Sequence, residues 1–236
     1  MLLATWNCHS GGLAKWQALE AMEVTVGVLC ETTLANPGST PALGEPPLEW
    51  VAAGNPNKAI AVVSRMPLQA LPARAGEGRF TVAAQTDHDL SILGLWSCPE
   101  HGGGRAYEDE VLATLNAWGD ELAAGDMIVA GDFNVGHAAG RTVDNAWVSR
   151  AHALWTELGL VSAYHAFYSE EIGSSSRATH FHTYNVNRPW HIDWVLLHRS
   201  RLPQLRSVSV GTYEEWTAPD SRARSDHVPV IVDLDV

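Results

Sequence analysis

Five segments along the chain each place an acidic, amide or imidazole side chain directly beside apolar residues. A single residue of this kind is explained by a turn, because Asp, Asn and Gly commonly end strands. Five segments need a shared explanation, because a carboxylate at the margin of an apolar core is costly unless it is paired or bound to a metal ion. The residues are Asn7 in TWNC, Glu31 in LCET, Asp132 and Asn134 in GDFN, Asp193 in HIDW with His191 predicted on the same side, and Asp226 and His227 in SDHVPV.

The segment DMIVAGDFNVG shows how one strand presents two such groups. Its apolar residues Met127 to Ala130 predict a buried strand. Residues i and i+2 of a strand point to the same side. Asp132 and Asn134 are therefore predicted to stand together at the strand end, while Phe133 turns inward. For this segment alone, a simple turn is the alternative interpretation.

A pocket built from these groups suits a hard divalent cation. Carboxylate and amide oxygens favour Mg²⁺ or Mn²⁺, and Mg²⁺ typically takes one or two protein carboxylates together with water and a substrate phosphate. Cys8, Cys30 and Cys98 lack CxxC spacing, which argues against both a disulfide framework and a thiolate zinc site. We therefore expect Mg²⁺ (or Mn²⁺) as the cofactor.

Such a site fits the needs of phosphodiester hydrolysis. In-line attack requires a positioned water, a charge clamp on the non-bridging oxygens and help for the leaving oxygen. A carboxylate base, a divalent ion and an imidazole oriented by an aspartate supply these three parts. The residue types therefore point to a metal-dependent phosphoesterase.

The remaining pattern predicts the elements that hold these residues. Several strands are apolar on both faces, so both faces must be covered. Two sheets packed on each other with helices outside satisfy this, whereas a Rossmann sheet fits less well because helices are few and no GxGxxG motif is present. Strands are predicted at 2–8, 24–31, 48–53, 59–64, 80–84, 90–96, 127–131, 179–184, 191–198, 205–211 and 228–234, and helices at 13–22, 107–123 and 146–158, with 36–47 as a surface loop.

Taken in this order and spacing, TWNC, the Glu of LCET, GDFN, HIDWVLL and SDHVPV resemble the endonuclease/exonuclease/phosphatase superfamily. The resemblance runs from Asn7 to His227. It implies an α/β (α+β) fold in a single domain, residues 1–236: a four-layered α/β sandwich in which two mixed β-sheets pack face to face with helices on the outside. It also implies metal-dependent phosphoester hydrolysis.

The resemblance implies roles for the residues that match. Glu31 resembles the principal metal ligand, with Asn7 beside it, and Asp226 matches a position that supports the metal or the histidine. Asp132 resembles the group that orients or deprotonates the attacking water. Asn134 resembles the group that holds this water or a phosphate oxygen.

On the phosphate side, His227 paired with Asp193 resembles the imidazole that contacts the scissile phosphate. Family members usually carry a Tyr or His contact to the phosphate after the strand that precedes the long helix. Here the nearest position is Trp96, which can donate one hydrogen bond but cannot act as an acid. His101, in the following glycine-rich loop, is a candidate substitute for substrate binding, with a solvated loop histidine as the alternative.

Other polar residues near the motifs have two interpretations each. Arg224, with Arg222, precedes the proposed catalytic pair and is a candidate for steering an anionic substrate, or else belongs to a solvated loop. His180 and His182 fall on one side of a predicted strand and offer a second metal or phosphate contact. His137 follows GDFN. For these three histidines, hydrogen-bonded structural roles are the alternative.

Composition sets limits on partners and location. The 236 residues carry a formal net charge of −12, with a sequence pI near 5.3. This balance argues against tight non-specific DNA binding, but not against an enzyme whose metal supplies local positive charge. No stretch approaches about 20 apolar residues, and the N-terminus does not resemble a signal peptide. We expect a monomer in the cytoplasm that does not bind membranes.

Three functions fit this sequence. The first is a nuclease, with DNA as the favoured nucleic acid substrate, by analogy with compact members of the superfamily. The second is a phosphatase or phosphodiesterase for a phosphorylated small molecule or lipid headgroup, which the acidic balance favours. The third is a non-catalytic binding module with the same fold, against which the complete acid, amide and imidazole set argues.

Overall fold

The computed structural model describes residues 1–11, 13–33, 49–55, 58–87, 90–100, 104–140, 146–221 and 224–236. Within these ranges, thirteen strands form two mixed β-sheets. The first sheet contains β1 (Leu2–Gly11), β2 (Val26–Thr32), β3 (Glu49–Asn55), β4 (Lys58–Ser64), β12 (Leu205–Val210) and β13 (Val230–Leu234). Their order is β12–β13–β1–β2–β4–β3, with β1 and β2 parallel and the other neighbours antiparallel.

The second sheet has the same central feature, one parallel pair flanked by antiparallel neighbours. It contains β5 (Leu68–Ala70), β6 (Thr81–Thr86), β7 (Ser91–Leu95), β8 (Met127–Ala138), β9 (Leu160–Ser162), β10 (His180–Phe181) and β11 (Pro189–His198). The order is β10–β11–β8–β7–β6–β5, with β7 and β8 parallel, and β9 pairs with β11.

Three apolar clusters separate four layers of structure. One cluster lies between the sheets, a second lies between the second sheet and helices α2 to α4, and a third lies between the first sheet and helices α1 and α6. The layers therefore run helix, sheet, sheet, helix, which is the sandwich that the sequence predicts. The helices are α1 (Leu13–Glu20), α2 (Gly104–Ala117), α3 (Gly119–Ala124), α4 (Ala146–Glu157), α5 (Ala163–Tyr168) and α6 (Tyr213–Trp216).

The alternation of strand residues between clusters aims the polar groups between the sheets. In β8, Ile128 and Ala130 belong to the inter-sheet cluster, whereas Val129 and Phe133 belong to the cluster under the helices. Asp132 therefore falls on the inter-sheet face. By the same alternation, Asn7 lies on the inter-sheet face of β1 with Leu3, and Asp193 lies on the inter-sheet face of β11 with Val195.

Several predicted boundaries differ from the structure. The helix predicted at 107–123 is divided at Trp118, which leaves helical geometry (φ −111°, ψ 17°) before α3 begins. The strand predicted at 127–131 continues to Ala138, and 179–184 is a two-residue strand followed by a 3₁₀ turn. Helices α5 and α6 and strands β5 and β9 are too short for the periodicity to reveal. The predicted loop at 36–47 and Leu48 lie outside the described residues.

Among the described residues, no helix is both long enough and apolar enough to span a membrane.

Candidate active site

The centre of the candidate site is a hydrogen bond between the two sheets. The Asn7 side-chain amide, on β1, donates from Nδ2 to Asp132 Oδ2, on β8, at 2.9 Å. Both side chains are buried, Asn7 with 3% and Asp132 with 0% exposure. The amide and the carboxylate satisfy each other where either alone would be costly to bury.

Asp132 and Asn134 stand together, as the sequence predicts, and Phe133 points to the helix layer against Trp155. Asn134 donates from its backbone N to Asp132 Oδ1 at 2.9 Å and from Nδ2 to the Ser97 carbonyl at 3.0 Å. This geometry holds because Asn134 adopts a left-handed backbone (φ 50°), which Asn tolerates better than most residues. Three donated hydrogen bonds, including one from Asn134 Nδ2 at 3.2 Å, hold the Asp132 carboxylate in place.

Asp193 lies opposite Asp132 in the pairing of β11 with β8 and contacts His227. The imidazole Nδ1 lies 2.9 Å from Asp193 Oδ2 and 3.2 Å from Oδ1, so that it carries the proton and donates it to the carboxylate. The other ring nitrogen, Nε2, lies 4.0 Å from Asp132 Oδ2. His227 therefore stands between the two aspartates and presents Nε2 to the site.

The backbone around His227 is fixed by three hydrogen bonds. Its N donates to Ser225 Oγ at 3.1 Å, and that hydroxyl donates to the Asn7 carbonyl at 2.7 Å. Its carbonyl accepts from Trp6 Nε1 at 3.0 Å. The last segment of the chain is thereby attached to β1, the strand that carries Asn7.

Burial changes the acidity of both central aspartates. Desolvation raises the pKa of Asp132 to about 6, and the nearby Asp193 charge adds to the rise, while His227 and the hydrogen bonds from Asn7 and Asn134 oppose it. Desolvation also raises the pKa of Asp193, and a hydrogen bond from Thr179 opposes the rise. Carboxylates with pKa values shifted towards neutrality are typical of groups that exchange protons in catalysis.

Glu31 and Asp226 form the second part of the site, around His9. His9 Nδ1 lies 3.1 Å from Asp226 Oδ1 and 4.0 Å from Glu31 Oε2. His180 Nε2 contacts the other oxygen, Asp226 Oδ2, at 3.5 Å. Burial alone would raise the pKa of Asp226, but the contacts with His180, His227 and His9 outweigh it and lower the pKa to about 2. Asp226 is thus an anion throughout the physiological range.

Left-handed backbone at Glu31 sets the direction of its carboxylate. Regular alternation in β2 would place Glu31 with Leu29 on the helix side, but Glu31 has a φ of 50° and the pairing of β2 with β4 shifts between Leu29 and Thr32. A positive φ is uncommon for a residue such as Glu and persists only where surrounding structure enforces it. Backbone strain of this kind is concentrated at functional sites.

The donor set of this part of the site fits a divalent cation. Asp226 Oδ1 is buried and makes no hydrogen bond, although His9 Nδ1 is near. A buried carboxylate oxygen without a hydrogen bond is costly unless another group satisfies it. Asp226 would therefore hold the ion. Among the described residues, its donor atoms lie within 4.8 Å of those of His180 and His227, and Glu31 stays a predicted ligand. Asn7 is engaged elsewhere, because its Oδ1 accepts from His9 N at 2.9 Å and its Nδ2 serves Asp132.

Of the predicted substrate contacts, Arg224 lies at the rim of the site. Its guanidinium is 4.3 Å from the ring centre of Tyr184, and Tyr184 packs edge-on against His9. The prediction that Trp96 contacts the substrate is wrong. Its side chain is 2% exposed and packs on Phe80 in the inter-sheet cluster, so it presents no surface to a substrate. His101 and Arg222 lie outside the described residues.

Of three further histidines considered from the sequence, one lies in the site and two lie outside it. His180 stacks on His227, with ring centres 4.3 Å apart, and therefore belongs to the site. His191 does not share a side with Asp193, because the register shifts between them and His191 packs on Trp194. His137 is buried and hydrogen-bonds through Nε2 to Ser175. Both therefore lie in a structural histidine cluster with His165.

The residue that sequence reasoning missed is His9. The available signal was its position two residues after Asn7, since i and i+2 share a strand face. The backbone is not regular there, because His9 and Ser10 have φ values of 46° and 65° and the pairing of β1 with β2 shifts between Asn7 and Gly11. Thr179 was also missed: its Oγ1 accepts from the backbone N of Ile192 and Asp193, both at 3.0 Å, across the register shift.

Comparison with known proteins gives one family and several related structures. The model of the Endonuclease/Exonuclease/phosphatase family matches residues 4–227. The chain is similar to the 3′ phosphatase NExo from Neisseria bound to a product DNA hairpin, with 21% identity and a TM-score of 0.80. It is also similar to the 3′-5′ exonuclease NExo from Neisseria meningitidis (20%, TM-score 0.77) and to an AP endonuclease from Archaeoglobus fulgidus (15%, TM-score 0.73). All three similarities cover 100% of both chains. No curated protein matches the chain.

Proposed function

Because the chain belongs to the endonuclease/exonuclease/phosphatase family, we propose that it is a divalent-metal-dependent phosphodiesterase that acts on DNA as a nuclease. The observation that carries the proposal is the assembly around Asp132, whose buried carboxylate with raised pKa lies 4.0 Å from His227 Nε2. A general base and an oriented imidazole on either side of one position are the groups that in-line attack on phosphorus requires.

The attacking water is the part of the reaction assigned to Asp132. Its carboxylate is fixed by Asn7 and Asn134, so that the remaining lone pair is available to a water. With a pKa of about 6, the carboxylate is ionised at neutral pH and is still basic enough to accept a proton in the transition state. Asn134 remains the candidate to hold that water or a phosphate oxygen.

The phosphate is the part assigned to His227. Asp193 holds Nδ1–H, and Nε2 is therefore directed at the site. When Nε2 is protonated, it donates a hydrogen bond to a non-bridging oxygen and stabilises the charge that develops there. His180 stacks on the imidazole ring of His227, and this contact limits rotation of the His227 ring.

The cation is assigned to Glu31 and Asp226, and Mg²⁺ or Mn²⁺ is the proposed ion. When bound, the ion supplies Lewis-acid stabilisation of the phosphate and the leaving oxygen. Asp226 is held in position for this role by His180, and its low pKa keeps it charged. Asn7 positions the Asp132 carboxylate. If Asn7 also binds the cation, it does so through the second lone pair of Oδ1, because the first accepts from His9 N.

DNA is proposed as the substrate because structurally similar proteins are a 3′ phosphatase bound to a DNA hairpin and an AP endonuclease. Cations at the rim support an anionic polymer: Arg224 is exposed above Tyr184, and Lys15 interacts with Glu31 and Asp226. The second candidate is a small phosphoester. The net charge of −12 favours it, because a strongly acidic protein repels a long polyanion.

The test is a substrate panel with chelation. Purified protein is treated with EDTA, dialysed, and incubated with Mg²⁺ or Mn²⁺ and either nicked plasmid DNA, 3′-phosphorylated hairpin DNA, RNA, or small mono- and diesters. Release of nucleotides or phosphate from DNA that requires the added ion supports the nuclease. Turnover of small esters alone would transfer the proposal to the second candidate, and inactivity on every substrate would favour a binding module.

A further inference from the structure

We propose that Lys58 binds a phosphate of the DNA substrate that neighbours the phosphate undergoing hydrolysis, on the Asp132 side of the site. The inference rests on the proposed function and deepens it, because a second phosphate position requires a polynucleotide rather than a small phosphoester. The chain has only two lysines, Lys15 and Lys58. Lys15 interacts with Glu31 and Asp226, whereas Lys58 lies beside the segment that is bonded to Asp132.

A tryptophan ring sets the position of the Lys58 side chain. Lys58 Nζ lies 4.6 Å from the ring centre of Trp96, a distance at which an ammonium group is attracted to the face of an indole. The Trp96 side chain is 2% exposed and packs on Phe80, with ring centres 4.6 Å apart. The buried ring is therefore a fixed support, and the Lys58 ammonium above it stays at the surface.

The backbone of Lys58 is held against the same aromatic pair. Lys58 pairs with Asn55 where β3 and β4 meet, and Gly54, the residue before Asn55, has a φ of 123°. A Cβ built on Gly54 would lie 2.5 Å from the Lys58 carbonyl oxygen and 3.0 Å from the Phe80 ring. Glycine permits this close approach because it has no Cβ. The end of the β3–β4 hairpin is thus packed on the residue that supports Trp96.

Trp96 also connects Lys58 to the catalytic groups. Ser97, the next residue, donates from its backbone N to the Asp132 carbonyl at 3.0 Å. The Ser97 carbonyl accepts from Asn134 Nδ2, also at 3.0 Å. Lys58 therefore rests on the residue next to the backbone that holds Asp132 and Asn134.

Tyr107, on α2, shows that Lys58 and Asp132 border one region. Desolvation raises the pKa of the Tyr107 hydroxyl, the Asp132 charge adds to the rise, and the Lys58 charge opposes it. Charges act on one another mainly over short separations, because solvent and salt screen them beyond about 10 Å. One hydroxyl is thus within electrostatic reach of both the ammonium and the carboxylate.

The Lys58 charge is available to a ligand. In the described part of the chain Lys58 forms no ion pair, although the protein has 27 acidic residues. The carboxylates around the segment after Trp96 have other partners, since Glu110 accepts from Ser97 Oγ and Cys98 N, and Glu100 pairs with Arg79. An exposed ammonium without an anionic partner is suited to bind a phosphate.

The order of the strands determines which phosphate Lys58 meets. β8, which carries Asp132, lies between β11 and β7. Asp193 and its partner His227 lie on the β11 side, whereas Trp96 follows β7 and carries Lys58 on the other side. The reacting phosphate is assigned to the region between Asp132 and His227. An ammonium on the β7 side therefore meets the next phosphate along the DNA strand.

The test measures DNA binding and turnover separately, with the full chain. A fluorescent single-stranded decamer of deoxythymidine is titrated with protein in EDTA, and binding is followed by anisotropy at several salt concentrations. With Mg²⁺ or Mn²⁺, kcat and KM are then measured on the decamer and on the dinucleotide, which has a single phosphodiester.

Lys58→Met is the test variant because its side chain still covers Trp96 and only the charge is lost. Lys58→Arg keeps the charge and is the conservative variant. Arg206→Met is the matched control: Arg206 is an exposed cation on β12 that pairs with Asp235, and its loss changes the net charge by the same amount.

Lys58→Met should weaken decamer binding about tenfold and reduce the slope of log affinity against log salt by about 0.7, the value for one phosphate contact on a single strand. KM for the decamer should rise by a similar factor, while kcat and the constants for the dinucleotide stay within about twofold of wild type. Lys58→Arg and Arg206→Met should bind and turn over the decamer as wild type does.

Three results would overturn the proposal. An equal loss on the decamer and the dinucleotide would show that Lys58 contacts the reacting phosphate. An unchanged salt slope in Lys58→Met would show that Lys58 contacts no phosphate. Failure of the wild-type protein to bind the decamer would show that there is no such binding position.

The two proposals fail separately in this experiment. If the decamer is hydrolysed with added metal but Lys58→Met binds it as wild type does, the proposed function stands and the role of Lys58 is wrong. If Lys58→Met loses affinity and salt dependence but no phosphoester is hydrolysed, the phosphate position stands and the proposed function is wrong.

Discussion

Asp193 and His227, separated by 34 residues in the chain, form a buried pair in which Nδ1 of the imidazole lies 2.9 Å from a carboxylate oxygen. Asp193 is carried by β11 and His227 by the segment that leads into β13. The pair thus joins the two sheets at the site, next to the Asn7–Asp132 bond. Because the carboxylate fixes which ring nitrogen is protonated, it decides what the other nitrogen presents to a phosphate.

The first prediction concerns this pair. Asp193→Asn should lower kcat by about 10²- to 10⁴-fold with little change in the melting temperature, because the amide allows the other tautomer and no longer stabilises a charged imidazole. Steady-state kinetics on the best DNA substrate, together with circular dichroism of the variant, measure both. A folded variant with nearly wild-type kcat would contradict the role of Asp193.

The pH dependence of turnover is the second prediction. Since Asp132 has a pKa raised to about 6 and must be ionised to accept a proton, kcat/KM should fall about tenfold per pH unit below that pKa. Bound cation lowers this pKa, so the midpoint at saturating metal should lie at or below 6. Asp226, with a pKa of about 2, stays ionised across the range and does not contribute.

Asn7→Ala provides the control for that profile. The hydrogen bond from Asn7 favours the ionised form of Asp132, so its removal should move the midpoint to higher pH by about half a unit or more. A profile whose midpoint is unchanged in Asn7→Ala would show that a group other than Asp132 controls the acid limb.

The third prediction concerns the metal. Glu31→Gln should weaken binding of the activating ion by about 10- to 100-fold and raise the ion concentration needed for half-maximal activity, because a charged ligand is replaced by a neutral one. High metal should restore part of the activity. Calorimetric titration and activity against metal concentration are the measurements, with Glu214→Gln, in α6, as the control, which should leave both unchanged.

The buried histidine cluster leads to the fourth prediction, which concerns stability against pH. Burial lowers the pKa of His137 and His165 to about 4 and of His191 to about 3. Below about pH 6.5 the unfolded chain takes up protons that the folded chain cannot, so stability falls as pH falls. Each such histidine contributes a loss of about 2 kcal/mol between pH 7 and pH 5.

Asp132 and Asp193 act in the opposite direction, because their raised pKa values make the folded chain bind protons more readily than the unfolded chain. A comparison with His165→Gln therefore isolates one histidine. The unfolding free energy of wild type minus that of the variant should shrink by about 2 kcal/mol from pH 7 to pH 5, measured by urea titration. A difference independent of pH would show that His165 is protonated in the folded state.

The fifth prediction tests the backbone before Asp132. Gly131 has a φ of 152°, and a Cβ built there would lie 1.8 Å from the Leu95 carbonyl oxygen. Gly131→Ala should therefore destabilise the protein by about 3 kcal/mol or more. Gly119→Ala, where a Cβ would meet only a Leu158 side-chain atom at 3.6 Å, is the matched control and should be neutral or stabilising by up to about 1 kcal/mol.

The sequence was sufficient for the layer arrangement and for the facing of residues in β8, both of which depend on local periodicity. Alternation along β8 correctly turned Phe133 to the face opposite Asp132, whereas the contact of Asp132 with Asn134 also needs the left-handed backbone of Asn134. The strands apolar on both faces correctly required two sheets covered by helices. These results follow from the two-residue period of a strand, which any short segment displays by itself.

Only the tertiary structure decided how these groups meet. Asn7 and Asp132 are 125 residues apart, and their bond exists because two sheets pack face to face. The positive φ values at His9 and Glu31, and the register shift before Asp193, break the alternation on which sequence reasoning relies. Such departures are imposed by neighbouring strands rather than by local preference. For that reason the sequence identified residue types that meet at one place, whereas the folded chain alone revealed His9 beside them and Trp96 away from them.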